Sequence, residues 1–196
     1  MTKRHSLSPE DILPWQDYAQ ARAQHRTRMT TIKRARRIEV GPFVSFYFES
    51  FETMWFQVQE MLHIEKGGPA QVPDEIAAYN PLIPKGRELC ATFMIEIDDP
   101  LRRGRVLAGL GGIEETAFIE VGDYRIHAKA EADQDRTTAE GKASSVQFVH
   151  FDFSDAEAQA FKQPNTRVIL GLTHPNYSHM AVLSELTRDS LAQDFD

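Results

Sequence analysis

The chain has 196 residues, 41% of them apolar and 26% charged, which suits one ordinary domain with a real core and excludes wholesale disorder. Its purely apolar runs are only a few residues long, far below the roughly 20 that a bilayer span needs, so a membrane protein is excluded too. The net charge is -7 but unevenly spread: residues 22–37 carry seven Lys or Arg and no acid, whereas from residue 41 onward 25 acids face 13 bases.

The start, "MTKRHSLSPEDILPW", has basic residues with no apolar stretch behind them. A secretory signal is therefore not expected, and the chain is read as cytoplasmic. Ser8, Pro9, Glu10 and Asp11 form a helix-start signal that Pro14 interrupts. A basic N-terminal helix then occupies 15–37, its regular part ending near Arg34. "RIEVGPFVSFYFES" gives two strand segments broken at Gly41-Pro42. Thr53 caps a helix that runs through Lys66 and is ended by "KGGPAQVP". A short helix from Pro73 to about Tyr79 stops at Asn80-Pro81.

"ELCATFMIEID" alternates as a strand, with Ala91, Phe93, Ile95 and Ile97 on one face and Cys90, Thr92, Met94 and Glu96 on the other. Asp99 and Pro100 begin a helix that Gly111-Gly112 ends. Residues 116–129 read as a hairpin turned at Gly122-Asp123. Residues 130–143 are polar and are expected to form a mobile loop. Strands at "SVQFVHFDF", "RVILGL" and "HMAVL" and helices at "DAEAQAFKQ" and "SELTRDSLAQ" complete the chain. Strands that come in hairpin-like runs, broken by irregularly spaced helices, predict one α+β domain over 1–196 with a mainly antiparallel sheet and helices packed against it.

The familiar catalytic patterns are missing, and "GLGGIE" at 109–114 follows a helix instead of a strand, so it is no dinucleotide loop. The lone Cys90 sits in "LCATFMI", where a buried inert thiol is favoured over a reactive one. Glu60 and His63 stand three apart on one helical face, the spacing of a metal-ligand pair. A di-iron bundle would need a second such motif and further helices, so the two are weak metal candidates, with Glu96 or His150 as the third ligand of a mononuclear site. Glu96 is either a desolvated acid with a raised pKa or an acid at a wet strand end, the second being favoured. His150 shares its strand face with Phe148 and Asp152. His174, Tyr177 and His179 gather near the turn "THPNYSH", where a ligand role stands beside a purely turn-shaping one.

The basic stripe of Arg22, Arg26, Arg28, Lys33, Arg34, Arg36 and Arg37 would suit phosphate contacts. It lacks interleaved aromatics and belongs to an acidic protein. Pairing with the chain's own acids or with an acidic partner protein is therefore favoured over nucleic acid.

In order along nearly the whole chain, "KRARRIEVGP", "FQVQEMLHIEK", "AYNPLIP", "FMIEI", "SSVQFVHFDF" and "THPNY" resemble an uncharacterised bacterial family, domain of unknown function 3501. Glu60, Asn80, Glu96, His174, Pro175 and Tyr177 match that family's pattern, while His63 stands where a basic residue such as Arg is common. The genes of that family often neighbour those for rubrerythrin and an iron-sulfur oxidoreductase. The resemblance thus implies a cytosolic accessory protein of oxidative-stress or redox metabolism, with those two proteins as partners. The alternative is a metal- or small-molecule-binding enzyme whose pocket gathers Glu60, Glu96 and His174, flanked by Asn80, His150 and Tyr177. No cofactor is assigned beyond a candidate divalent metal.

Overall fold

A computed structural model of the chain describes residues 4–131, 137 and 141–196. Most of the expected polar loop at 130–143 therefore lies outside the described residues. Helix α1 spans Trp15–Ala35, with Asp17 in its first turn and Lys33 and Arg34 in its last, an order that complements the helix dipole. Only Tyr18 and Met29 of its residues are buried. It packs along α2, Phe51–Glu65.

Ser50, not Thr53, caps α2. The Ser50 hydroxyl accepts the Thr53 N–H while the Thr53 hydroxyl accepts the Ser50 N–H, so Thr53 is the reciprocal member of a capping box one turn inside the helix. Lys66 closes α2 in the left-handed conformation, φ 59°. Helix α3 follows over Val72–Tyr79.

Five strands build the first sheet: β1 Arg37–Val40, β2 Val44–Phe48, β3 Glu88–Ile95, β6 Lys129–Ala130 and β7 Val146–Asp152, in the order β1-β2-β3-β7-β6. Four build the second: β4 Ala117–Val121, β5 Tyr124–His127, β8 Val168–His174 and β9 Tyr177–Val182, in the order β5-β4-β8-β9. Every pairing is antiparallel. The expected α+β class stands, but the strands divide between two sheets. The hairpin turned at Gly122-Asp123 is in place, and the strand read at "RVILGL" runs on to His174 before a two-residue turn reaches β9. Among the described residues, three further α-helices follow: α4 Pro100–Leu107, α5 Asp155–Lys162 and α6 Glu185–Ala192.

The two sheets share the main core. Leu89, Ala91, Phe93 and Ile95 of β3 and Val149 and Phe151 of β7 cluster with Ile119, Val121, Leu170 and Leu172 of the second sheet. Each of the larger ones, Leu, Ile, Val or Phe, contributes about 1.5–3 kcal/mol. A second cluster holds Met54, Val58 and Leu62 of α2, Ile76 of α3, and Leu7, Leu82 and Ile83, with Phe148 of β7 packed against it. The first sheet is thus covered on both faces. Cys90, fully buried, and His150, its partner across the sheet, share the helix-covered face with Phe148. Among the described residues, no helix is long and apolar enough to cross a membrane.

Candidate metal centre

The residues expected to line one pocket stand in separate surroundings. Glu60 accepts a two-pronged hydrogen bond from Arg22, 2.8 Å on each side, and a third from the Tyr18 hydroxyl at 2.6 Å. The Arg22 hydrogen bonds, against an opposing effect of burial and with help from Tyr18, hold its carboxyl at a pKa of about 2. It clamps α1 to α2, and its acceptor sites are committed to that clamp.

Asn80 pins the N-terminal segment through both backbone groups of Leu7, at 2.7 and 3.0 Å. Glu96 accepts from Ser45 at 2.6 Å, Tyr47 at 2.9 Å and Arg37 at 3.2 Å. Burial raises its pKa, but those three donors outweigh it, and the carboxyl lies below its ordinary value. The wet-acid reading of Glu96 fits, and the raised-pKa reading does not.

His174 accepts the Asn176 N–H on Nδ1 at 3.2 Å and donates from Nε2 to Gly111 O at 3.3 Å, so both of its nitrogens shape the turn. The Tyr177 hydroxyl donates to Val40 O at 2.7 Å and accepts from Phe43 N–H at 3.3 Å, which latches β9 to the β1–β2 turn. His63 stacks on Trp15 with ring centres 5.4 Å apart and packs edge-on against Tyr18 at 5.9 Å. Glu60, Glu96 and His174 share no hydrogen-bond partner, and the pocket expected around them is not assembled.

The basic stripe also needs correction. Arg36 is 4% exposed and donates to Phe48 O at 2.9 Å, Glu49 O at 2.8 Å and Ser190 O at 3.1 Å, besides pairing with Asp194. Arg37 leaves the helix and joins β1, where Glu39 and Glu96 hold it. Arg22 is engaged by Glu60, Arg28 lies 4.0 Å from Glu52, and Lys33 sits over the Phe56 ring. Arg26 and Arg34 are exposed. The stripe is largely paired within the chain.

His150 sits between two carboxylates and a thiol. Glu88 and Cys90, two apart on β3, point to one face, and the register sets Cys90 opposite His150. His150 Nδ1 lies 3.0 Å from Glu88 Oε2 and 3.2 Å from Cys90 Sγ. Its Nε2 lies 2.7 Å from Glu131 Oε2. Glu131 is held in place by its N–H, which extends the β6 ladder to Phe148 O at 3.1 Å. The Lys85 N–H orients the second Glu88 oxygen at 3.1 Å.

A carboxylate, a thiol and an imidazole each offer one ligand atom, and all three atoms fall within 4.8 Å of one another. Bonds of about 2.0–2.3 Å to a tetrahedral metal separate ligand atoms by about 3.5 Å, so the two distances from His150, 3.0 and 3.2 Å, would open by a few tenths of an ångström around an ion. Glu131 on the far imidazole nitrogen is the usual outer partner that fixes the tautomer of a metal-bound His. The side chains of His150, Glu88 and Glu131 are 17%, 15% and 24% exposed, so solvent reaches the edge of the cluster.

The electrostatics describe what a cation would change. The Glu88 hydrogen bond raises the His150 pKa against the opposing effect of burial, with Glu131 assisting. Burial pushes the Cys90 thiol far up, and the negative charges of Glu88 and Asp194 push it further. Without a cation, the neighbouring Glu88 and Glu131 thus favour the charged form of the imidazole, and burial favours the neutral thiol. A buried thiol beside carboxylates makes a poor nucleophile. A divalent cation held by Glu88, Cys90 and His150 would reverse the balance, since coordination favours the thiolate and the neutral imidazole.

Sequence reasoning named His150 as a ligand candidate, read Cys90 as a buried inert thiol, and missed Glu88 and Glu131. The spacing Glu88-x-Cys90 on an alternating strand was the available signal. The cross-strand register that brings His150 to it was not.

The profile of the family described as "Protein of unknown function (DUF3501)" matches residues 6–195. A crystal structure of a novel protein of unknown function from Burkholderia pseudomallei K96243 is 34% identical, with a TM-score of 0.90 over 97% of this chain and 100% of that one. None of the curated proteins compared matches the chain. With nearly its whole length matched, the chain belongs to the DUF3501 family.

Proposed function

We propose that this protein binds one divalent transition-metal ion through Glu88, Cys90 and His150, with Glu131 holding the imidazole from behind. The observation that carries this reading is the convergence of three different donor atoms within 4.8 Å on a histidine whose other nitrogen meets a carboxylate at 2.7 Å. A mixed sulfur, nitrogen and oxygen set favours zinc or ferrous iron over the hard cations calcium and magnesium. Three protein ligands leave a fourth position for water or an oxygen-bearing ligand, the arrangement of reactive and not purely structural sites. Such a centre would lower the pKa of a bound water or polarise a carbonyl.

Metal content of protein purified without a His-tag tests the reading, together with cobalt substitution. Near one equivalent of metal is expected, with a thiolate-to-cobalt charge-transfer band that Cys90→Ser abolishes and His150→Ala weakens. Absence of tight binding for zinc, iron and cobalt alike would remove it.

The cytoplasmic accessory role in redox metabolism, beside a rubrerythrin or an iron-sulfur oxidoreductase, is a second reading, supported by a thiol at the centre of the cluster. Oxidation of a ligating thiol releases its metal, so the site would respond to peroxide. Pull-down with each partner at low and high salt is the test, and no association at either salt would remove this reading.

A further inference from the structure

A cavity of about 730 Å³ opens between the N-terminal segment, the start of α1 and the second half of α2, apart from the metal cluster and independent of its reading. Its walls are mostly apolar, with Ile12, Leu13, Trp15, Leu62 and Val72 among them. That volume lies within the range of about 300–1,000 Å³ typical of small-molecule sites.

Two residues of these walls carry polar atoms that are closed to solvent and that a turn of either side chain would present to the cavity. Gln59 is 2% exposed, and its Nε2 is buried without a hydrogen-bond partner. His63 Nδ1 is in the same condition. Both residues line the cavity and lie four apart on α2, hence on one face of the helix. Folded proteins pair nearly all buried polar groups, so two orphans in one cavity call for a partner from outside the chain.

The flanks restrict that partner further. Trp15 is 47% exposed and stacks on the His63 ring at an interplanar angle of 14°, which gives the cavity a flat aromatic wall. Lys66 is the one fully charged side chain of the lining, and no carboxylate lines it. Of the acids adjacent in sequence to lining residues, Asp11 is paired with Arg4 and Glu60 with Arg22.

We infer that this cavity binds a planar aromatic carboxylate, its ring against Trp15 and its two oxygens accepting from Gln59 Nε2 and His63 Nδ1, with Lys66 balancing its charge. A neutral apolar molecule would leave both nitrogens unpaired, and a cation would meet Lys66.

Calorimetric and tryptophan-fluorescence titrations with 2-naphthoate, 2-naphthamide and 2-methylnaphthalene test the assignment. The acid is expected to bind at one equivalent and change Trp15 emission, with the amide and the hydrocarbon weaker in that order. Loss of one hydrogen bond to a charged group in Gln59→Met should weaken naphthoate by about tenfold to a hundredfold. The same variant should melt at a higher temperature without ligand, because an unpaired buried amide has been removed. His63→Phe keeps the stacking and should weaken naphthoate similarly, so the test survives if the Gln59 variant fails to fold. The inference is overturned if naphthoate does not bind, if the amide binds as tightly, if neither variant weakens it, or if Gln59→Met melts at a lower temperature.

Discussion

Cys90 and His150 face each other across the β3–β7 ladder, with Sγ and Nδ1 3.2 Å apart. That contact exists only because the antiparallel register pairs these two residues. A shift by one residue would turn one of them toward the core between the sheets. The helix layer of Val58, Leu62 and Ile76 packs against Phe148, two residues before His150 on the same strand face.

Glu131→Gln isolates the outer contribution to the metal centre. Glu88, Cys90 and His150 stay in place, but the imidazole loses the carboxylate that its Nε2 meets at 2.7 Å. Removing such a partner costs about tenfold to a hundredfold in metal affinity. Competition of zinc against a chelating dye should show that loss with the stoichiometry unchanged. Unaltered affinity would mean that His150 is not a ligand.

The fold class was legible because alternation is a local signal. The strand faces of β3 and β7 and the two-residue hairpin turn follow from spacing alone. The division into two sheets was not legible, since it depends on which strands pair over long separations. The candidate site failed for the same reason: Glu60, Asn80 and Tyr177 are polar residues in suggestive company along the chain, yet each ties two distant segments together. Glu88 and Glu131 stood in unremarkable company and lie 43 positions apart, but the sheet sets both beside His150.

Arg36→Leu tests whether the end of the basic stretch is interior structure. It removes a guanidinium that is 4% exposed and takes one donor from Asp194 and one from each of three carbonyls. Breaking a buried pair in this way costs about 3–5 kcal/mol. Arg34→Ala, on the exposed face, should stay within about 0.5 kcal/mol of the parent. Urea unfolding of both variants makes the comparison, and similar losses would return Arg36 to the surface.

Gly41→Ala should destabilise by about 2 kcal/mol or more, for two reasons that add. Gly41 has φ +74°, and a Cβ there would stand 2.6 Å from the Tyr177 hydroxyl and 2.6 Å from His179 Cγ. The side chain can be accommodated only by breaking the latch from the Tyr177 hydroxyl to Val40 O. Tyr177→Phe removes that hydrogen bond without the clash and should cost less, about 1 kcal/mol. Thermal melts that rank the two variants the other way would place the strain elsewhere.

Glu60→Gln addresses the α1–α2 clamp through pH. The Glu60 carboxyl titrates near 2 in the folded chain against a reference value of 4.5, so the unfolded chain takes up the proton first as pH falls. A depressed folded pKa gives stability that is fully present above about pH 4.5 and is lost as pH drops toward 2. At neutral pH the variant should be less stable by about 1–3 kcal/mol, the range for hydrogen bonds to a charged group. Below pH 4.5 the gap should narrow, because acid removes from the parent the same charge that the substitution removed. Denaturant midpoints measured from pH 7 to pH 3 follow the convergence. A gap that stays constant over that range would show that the loss comes from packing and not from the Glu60 charge.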